Sequence, residues 1–298
     1  MLQVVNTTIH NCLLGLLLAL ALLVCGPSAG EAATLASATA SPSAGPAPMP
    51  RFRAPDPARP APPARTAVVR FLVDEEFPPF SYRDAGGNPA GFSVALANAL
   101  CEDMRLSCSF ILKPWDRLLP GLAAGEADAV LGGQKITTAT LASADVTAAY
   151  FRPLGRFVIR TSVPIKTPGL RELAGRRIGV VAGSTHEAWI KTHYPRSVLR
   201  SFTDPGAAAR ALKSGTVDVW FGDAVTQMYW LAGKESEGCC RFLGGAYSDP
   251  DGFSPGMTIA VRRGDSDLRD LLDAGLDRLE LSGTTGALLR RYLPMGLW

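Results

Sequence analysis

The residues best placed for chemistry sit where a small-residue loop meets an expected helix start. Arg177-Ile-Gly-Val-Val-Ala182 is a buried strand pattern and Gly183-Ser-Thr-His-Glu-Ala-Trp189 follows it, with Ser184 or Thr185 as N-cap. The free N–H groups and dipole of such a helix start favour a carboxylate. Ser184 and His186 could in principle form a nucleophile and base, but neighbours at a helix start point apart, and no third residue is in place to orient the imidazole. Two other segments have the look of ligand-facing loops: Asp74-Glu-Glu-Phe-Pro-Pro-Phe80 after a strand rich in β-branched residues, and Gly132-Gly-Gln-Lys-Ile-Thr-Thr, which exposes backbone N–H groups. Asp223 lies just past another strand end.

These groups are positioned by a repeat. Leu122-Ala-Ala-Gly125-Glu-Ala-Asp128-Ala-Val-Leu-Gly132 returns as Leu212-Lys-Ser-Gly215-Thr-Val-Asp218-Val-Trp-Phe-Gly222. Each copy reads as a helix stopped by a glycine at φ > 0, a turn, a buried strand and a glycine-containing loop. Ligands bind outside the carboxyl ends of strands in open α/β sheets, so two copies imply two α/β lobes, each giving one rim of a cleft. Around the copies, a hairpin turn at Asp84-Ala-Gly-Gly-Asn88 precedes a helix from about Ser93, read as its N-cap, to Met104. Ser109–Leu112 is a strand, and Trp115-Asp116 opens the next helix. Arg156–Arg160 leaves the first lobe as a strand, Val198–Phe202 and Asp204–Lys213 form a strand and a helix, Met257–Arg262 returns to the first lobe, and Ser266–Leu293 is mostly amphipathic helix.

The chain has 298 residues, 47% of them hydrophobic, enough for two modest cores. Residues 1–30 carry no charged side chain, and Leu13–Val24 is an apolar run short for a membrane span; it fits the core of a secretory signal, with retention as an anchor the alternative. Residues 31–66 are Ala, Pro and Ser-rich and read as a linker. Of 30 basic residues four precede position 67, and of 27 acidic ones two do, leaving 26 − 25, or +1, on the folded part. Such a balance, with no basic run interleaved with aromatics, gives no reason to invoke nucleic acid. Three histidines and no CxxC pair argue against a zinc site. An even cysteine count in an exported chain favours disulfides. Cys101 and Cys108 flank a helix-to-strand turn that could bring them into bonding range, whereas Cys239-Cys240 could be a vicinal bridge or two thiols.

Taken in order, Asp74-x-x-Phe77-Pro-Pro-Phe80, Gly91-Phe92-Ser-Val-x-Leu-Ala97, Trp115-Asp116-x-Leu-Leu-Pro-x-Leu, Gly183-Ser-Thr185, Gly222-Asp223 and Ile259-Ala-Val-x-Arg-Gly264 resemble the extracellular solute-binding proteins of family 3, the polar amino-acid-binding components of bacterial ABC importers. The resemblance spans about residues 67–295. It implies a two-lobed periplasmic-binding-protein fold of α/β class, with two hinge strands and a ligand cleft between the lobes. Lobe 1 would comprise 67–158 and 253–298, and lobe 2 would comprise 159–252. It also implies a Cys101–Cys108 disulfide. By the same resemblance Phe77 and Trp115 stack on the ligand, backbone near Gly133 and the Lys135 side chain contact it, Ser184 and Thr185 take its carboxylate, Asp223 its ammonium, and Asp74 a polar or basic side chain.

One departure bears on the ligand. Where amino-acid binders read approximately Ser-Ile-Thr-x-x-Arg, this chain has Lys135-Ile-Thr-Thr-Ala-Thr140, so Thr140 stands at the position of the carboxylate-gripping arginine. A buried carboxylate without its cation costs on the order of a few kcal/mol. Lys135 is the neighbouring charge that could replace it. The resemblance implies a monomer delivering a small solute to an ABC permease from the periplasm, without cofactor or metal. Two alternatives share the scaffold: a cyclohexadienyl or prephenate dehydratase-like enzyme using Glu187, and a tethered sensory module.

Overall fold

The computed structural model describes residues 53–59, 68–135 and 138–293; the side chains at 133–135 and 138–139, together with the expected signal segment, lie outside the described residues. In the first lobe β1 (Val69–Asp74) leads into a small meander of β2 (Glu76–Phe77), β3 (Ser81–Arg83) and β4 (Pro89–Ala90), then α1 (Phe92–Asp103), β5 (Cys108–Lys113), α2 (Trp115–Ala123), β6 (Ala129–Lys135), α3 (Thr138–Ser143) and β7 (Ala144–Val146). The second lobe contains β8 (Gly155–Arg160), β9 (Arg177–Val181), α4 (Thr185–His193), β10 (Val198–Phe202), α5 (Pro205–Ser214), β11 (Val219–Asp223), α6 (Ala224–Ala232) and β12 (Cys240–Tyr247). β13 (Met257–Arg262), α7 (Ser266–Leu281) and α8 (Thr284–Tyr292) complete the first lobe.

Two five-stranded sheets result, ordered β5-β1-β6-β13-β7 and β10-β9-β11-β8-β12. The orders superimpose element by element. In each, three parallel strands meet an antiparallel strand supplied by the chain's other crossing, β13 in the first sheet and β8 in the second. β8 therefore belongs wholly to the second lobe, and the outward crossing is complete before Gly155, a few residues earlier than the boundary expected at 158. The two crossings are laced together: Met257 N–H donates to Phe151 C=O at 2.7 Å and Tyr150 N–H to Met257 C=O at 2.9 Å.

The central strands of both sheets are covered on both faces, which is why they are continuous apolar runs, while the edge strands β5 and β10 are half exposed. In the first lobe Phe71, Val73 and Leu131 face α1, α7 and α8, while Leu72 and Val130 face Leu118 and Leu122 of α2. In the second lobe Phe157, Ile159 and Phe221 face α4, and Val158 and Trp220 face α5. Ala224, Val225 and Met228 of α6 pack into the first lobe's core beside Tyr150 and Phe151.

The repeat is borne out locally. Gly125 and Gly215 have φ of 77° and 81°, the left-handed conformation that ends a helix without a Cβ penalty. Two details differ from the pattern. α1 starts at Phe92 after Gly91, so Ser93 is no N-cap; its hydroxyl pairs at 3.0 Å with the Tyr150 hydroxyl in the crossing segment. And β6 runs on through Gly133 to Lys135, where a loop was expected after Leu131: the ladder with β13 shifts register at the glycines and resumes at Gln134 and Lys135, which pair with Thr258 and Met257. Cys101 and Cys108 are disulfide-bonded with Cα atoms 6.2 Å apart, and Cys239 and Cys240 form a vicinal bridge. Within the span read as linker, residues 53–59 lie against α7 through Arg53 and Arg59. Among the described residues no helix is long and apolar enough to cross a membrane.

Candidate functional site

The expected ligand residues fall at the carboxyl ends of the parallel strands in both lobes, as the topology demands. In the first lobe Asp74 closes β1 and is 6% exposed, with Oδ1 accepting the Glu76 N–H at 3.1 Å. Burial pushes its carboxyl above the usual range, the Glu76 N–H opposes this, and the Glu76 and Glu75 carboxylates reinforce it. Among the described residues no lysine or arginine pairs with it. Trp115, at the first position of α2, is half exposed, and Phe77 is exposed with its ring stacked on Phe80 at 5.2 Å.

Gly132 joins these groups. A Cβ there would fall 2.5 Å from Leu118 Cδ1, 3.4 Å from Trp115 Cζ3 and 3.5 Å from Asp74 Cβ, so the β6 backbone forms the floor between the Trp115 ring and the Asp74 carboxylate. The sequence pointed to the neighbouring Gly133; both glycines are strand residues, and the surroundings of position 133 lie outside what the structure describes. Thr140 is buried in α3, where its carbonyl accepts the Ser143 hydroxyl at 3.1 Å. The Lys135 side chain, Ile136 and Thr137 lie outside the described residues.

In the second lobe Ser184 and Asp223 line one cavity of about 190 Å³ with His186, Phe221, Gly222 and Thr226. Ser184 is the N-cap of α4: its Oγ accepts the Glu187 N–H at 3.1 Å and donates to Val181 C=O at 2.7 Å. Its hydroxyl is thus engaged in building the helix start, and Thr185, exposed at the first helical position, is left to offer N–H and hydroxyl outward. Asp223 caps α6 in the same manner, one oxygen accepting both the Thr226 N–H and its hydroxyl at 2.8 Å, which leaves Oδ2 for other use. His186 was not among the expected ligand contacts. Its ring stacks on Phe253 at 4.4 Å and meets Phe221 edge-on at 5.7 Å, forming an aromatic wall beside Asp223. The signal for it lay in its place two residues past the Ser184 cap; that for Phe253, in the returning crossing, was absent.

Glu187 is turned away from acid chemistry. Its carboxylate accepts the Ser201 hydroxyl and the Gly183 N–H, both at 2.7 Å, and pairs with Lys191 at 3.1 Å. These contacts, the Ser201 hydrogen bond foremost, lower its pKa to about 2, so the group is ionised at neutral pH and committed to the α4 start.

Against known proteins, the chain matches Bacterial extracellular solute-binding proteins, family 3, over residues 69–295, and it belongs to that family. It is 29% identical over 232 residues to an L-arginine-binding protein of Pseudomonas aeruginosa, covering 77% of this chain and 89% of that one. With the ABC transporter arginine-binding protein 1 of Escherichia coli the identity is 30% over 226 residues, covering 76% and 90%. A histidine-binding periplasmic protein of Salmonella typhimurium is 26% identical over 232 residues, covering 77% and 89%. Among solved structures, substrate-binding domain 2 of Lactococcus lactis GlnP in an open conformation superimposes with TM-score 0.66 at 19% identity, covering 80% of this chain and all of that one. An ancestral cyclohexadienyl dehydratase gives 0.62 at 22% identity, covering 76% and 93%. At those identities the likeness is one of fold.

Proposed function

We propose that the protein captures a basic amino acid between its lobes, outside the cytoplasm, for delivery to an ABC importer. The observation that carries this is the pair of acidic strand ends: Asp74, buried without a cation among the described residues, and Asp223, with one carboxylate oxygen uncommitted. Two anionic positions, one on each lobe, suit a solute with two cationic groups, and the sequence relatives named for arginine point the same way. Asp223 takes the α-ammonium and Asp74 the side-chain cation stacked between Phe77 and Trp115. The α-carboxylate lies at the α4 start near Thr185, with Lys135 supplying the positive charge that Thr140 lacks. The protein binds its solute and does not transform it, because Glu187, the candidate acid of a dehydratase, is ionised and tied to Gly183 and Ser201. The apolar Leu13–Val24 run is read as the export signal that takes the chain to the periplasm, where it works as a monomer with an inner-membrane permease.

Thermal shift of the full chain with L-arginine, L-lysine, L-histidine, L-glutamate and agmatine tests the reading. At 1,000 Kd a ligand adds about 4 kcal/mol to stability, a Tm rise near 10 °C for a domain of this size. Basic amino acids should give it and L-glutamate should not. Stabilisation by L-glutamate alone, or by prephenate with release of an aromatic product, would overturn it.

A further inference from the structure

The first lobe holds two acidic side chains that the ligand site does not use. Asp273 and Asp277, one turn apart on α7, are 7% and 2% exposed. Isolated carboxylates at that depth are costly, and they are normally paired or protonated. Here they are paired, by arginines from the stretch ahead of β1. Arg53, its side chain 6% exposed, donates Nε to Asp277 Oδ1 at 2.8 Å and its Nη2 to both the Asp273 carboxylate and the Asp273 carbonyl at 3.3 Å. Arg59 donates Nε to the other Asp277 oxygen at 2.8 Å. Asp273 Oδ1 also accepts the Ala148 N–H at 3.0 Å, which ties the same carboxylate to the start of the outward crossing. Between the arginines, Asp56 Oδ1 accepts the Ala58 N–H at 2.9 Å and Asp56 C=O accepts the Arg59 N–H at 3.3 Å, a turn that sets the two guanidinium groups on one carboxylate.

We propose that Asp273 and Asp277 form a docking notch whose occupant is the chain's own N-terminal segment, plugged in by Arg53 and Arg59. Composition alone assigns this segment to a linker, because two arginines do not disturb an Ala/Pro-rich window. Packing onto the first lobe is, among the described residues, already present at Arg53, ahead of the point at which the family match starts. Among the described residues the segment's side-chain hydrogen bonds beyond its own turn all go to α7. The described segment is therefore fastened to the first lobe, and through these contacts closure of the second lobe over a ligand does not drag it.

Limited trypsin digestion of the full chain, followed by mass spectrometry, tests the notch at the Arg53–Ala54 bond; Arg59 precedes proline and is not cut. Asp277→Asn leaves the Asp273–Ala148 bond in place and removes the charge both arginines share. It should speed cleavage after Arg53 at least tenfold over the unmodified protein, and the unmodified protein should be cut faster as salt rises. An independent measurement guards against a folding defect in that variant. Arg53→Gln with Arg59→Gln should lower Tm by about 5–10 °C, the effect of leaving buried carboxylates unpaired, and adding Asp277→Asn to that pair should recover part of it. Equal cleavage rates in the two proteins, or a Tm change below about 1 °C for the double arginine variant, would reduce the segment to an ordinary linker lying by chance on the surface.

Discussion

The two lobes share one device at their floors and differ at their rims. At the floor of the first, Arg70 donates its backbone N–H and Nε to Asp128 Oδ2, its Nη2 to Oδ1 at 3.1 Å, and reaches Gly125 C=O at 3.4 Å. At the floor of the second, Arg177 makes the same four contacts to Asp218 and Gly215, at 2.7 to 3.1 Å. Even the antiparallel strand repeats the theme: Arg262 donates to Ala127 C=O at 2.8 Å and Arg160 to Val217 C=O at 2.7 Å. The aspartate that makes the sequence repeat conspicuous is thus architectural. It joins the first parallel strand of each lobe (β1, β9) to the turn entering the third (β6, β11), at the opposite end of the sheet from the candidate site. Chemistry is left to the rims, where β6 continues as strand past Gly132 while β11 stops at Asp223 and turns at once into α6.

The largest break in this comparison should come at Asp223, which serves rim and scaffold together. Asp223→Asn keeps the acceptor that caps α6 but removes the charge, and should weaken L-arginine about 100-fold with apo Tm nearly unchanged. Asp223→Ala should add a capping loss of about 1 kcal/mol, or 2–4 °C. Calorimetric titration beside thermal melts separates the two effects. Full-strength binding by the Asn variant would place the ammonium elsewhere.

Each lobe also carries one disulfide, and the chain-entropy argument grades them. Cys101–Cys108 spans seven residues and should contribute about 2.5 kcal/mol. Cys239–Cys240 joins neighbours and should contribute about 1 kcal/mol. Urea unfolding of the paired serine variants reads both, and equal losses would show that strain and solvation outweigh loop closure.

The floor pairs differ in one respect that acid should expose. Asp128 accepts from Arg262 as well as Arg70, at 3.0 Å. Burial alone would raise its pKa, yet these bonds hold it down to about 2. Among the described residues Asp218 has Arg177 alone as its side-chain donor, and its pKa is lowered too, the Arg177 hydrogen bond foremost. A carboxyl depressed in the folded state stabilises fully above its unfolded pKa near 4 and loses that contribution as pH falls toward 2. Asp128→Asn should therefore cost about 2 kcal/mol at pH 7 and almost nothing at pH 2, with Asp218→Asn following at roughly half the size. Urea melts at both pH values decide it. A loss that persists at pH 2 would mean the side chain's shape matters more than its charge.

Much of this was legible without coordinates, for reasons that can be named. Gly125 and Gly215 announce helix ends because only glycine sits easily at their φ, and the central strands stand out because strands covered on both faces need unbroken apolar runs. Three things were hidden. The continuation of β6 to Lys135 depends on β13, more than a hundred residues away, which takes up Gln134 and Lys135 beyond the glycines, and no local pattern records a partner. Whether Ser184 or Thr185 caps α4 was open in the sequence, and the structure gives the cap, and with it the hydroxyl, to Ser184. The Arg53–Asp277 pairing joins positions 224 apart across a window whose composition suggests no order at all.

The finest test of the rims concerns Asp74, whose value for binding depends on its being costly when empty. Burial raises its pKa, so the apo protein holds a charge it would rather neutralise. A guanidinium or ammonium arriving beside Trp115 relieves that cost, and a neutral side chain does not. Asp74→Asn should therefore stabilise the empty protein slightly while weakening L-arginine about tenfold, with little effect on a neutral ligand such as L-glutamine. The affinity of the unmodified protein for L-arginine should fall as pH drops through the raised pKa, because protonation removes the partner of the cation, and the Asn variant should lack that acid limb. Titration calorimetry across pH 7 to 4 on both proteins reads the difference. A common slope would move the side-chain contact away from Asp74 and leave the aromatic pair to select the ligand by shape.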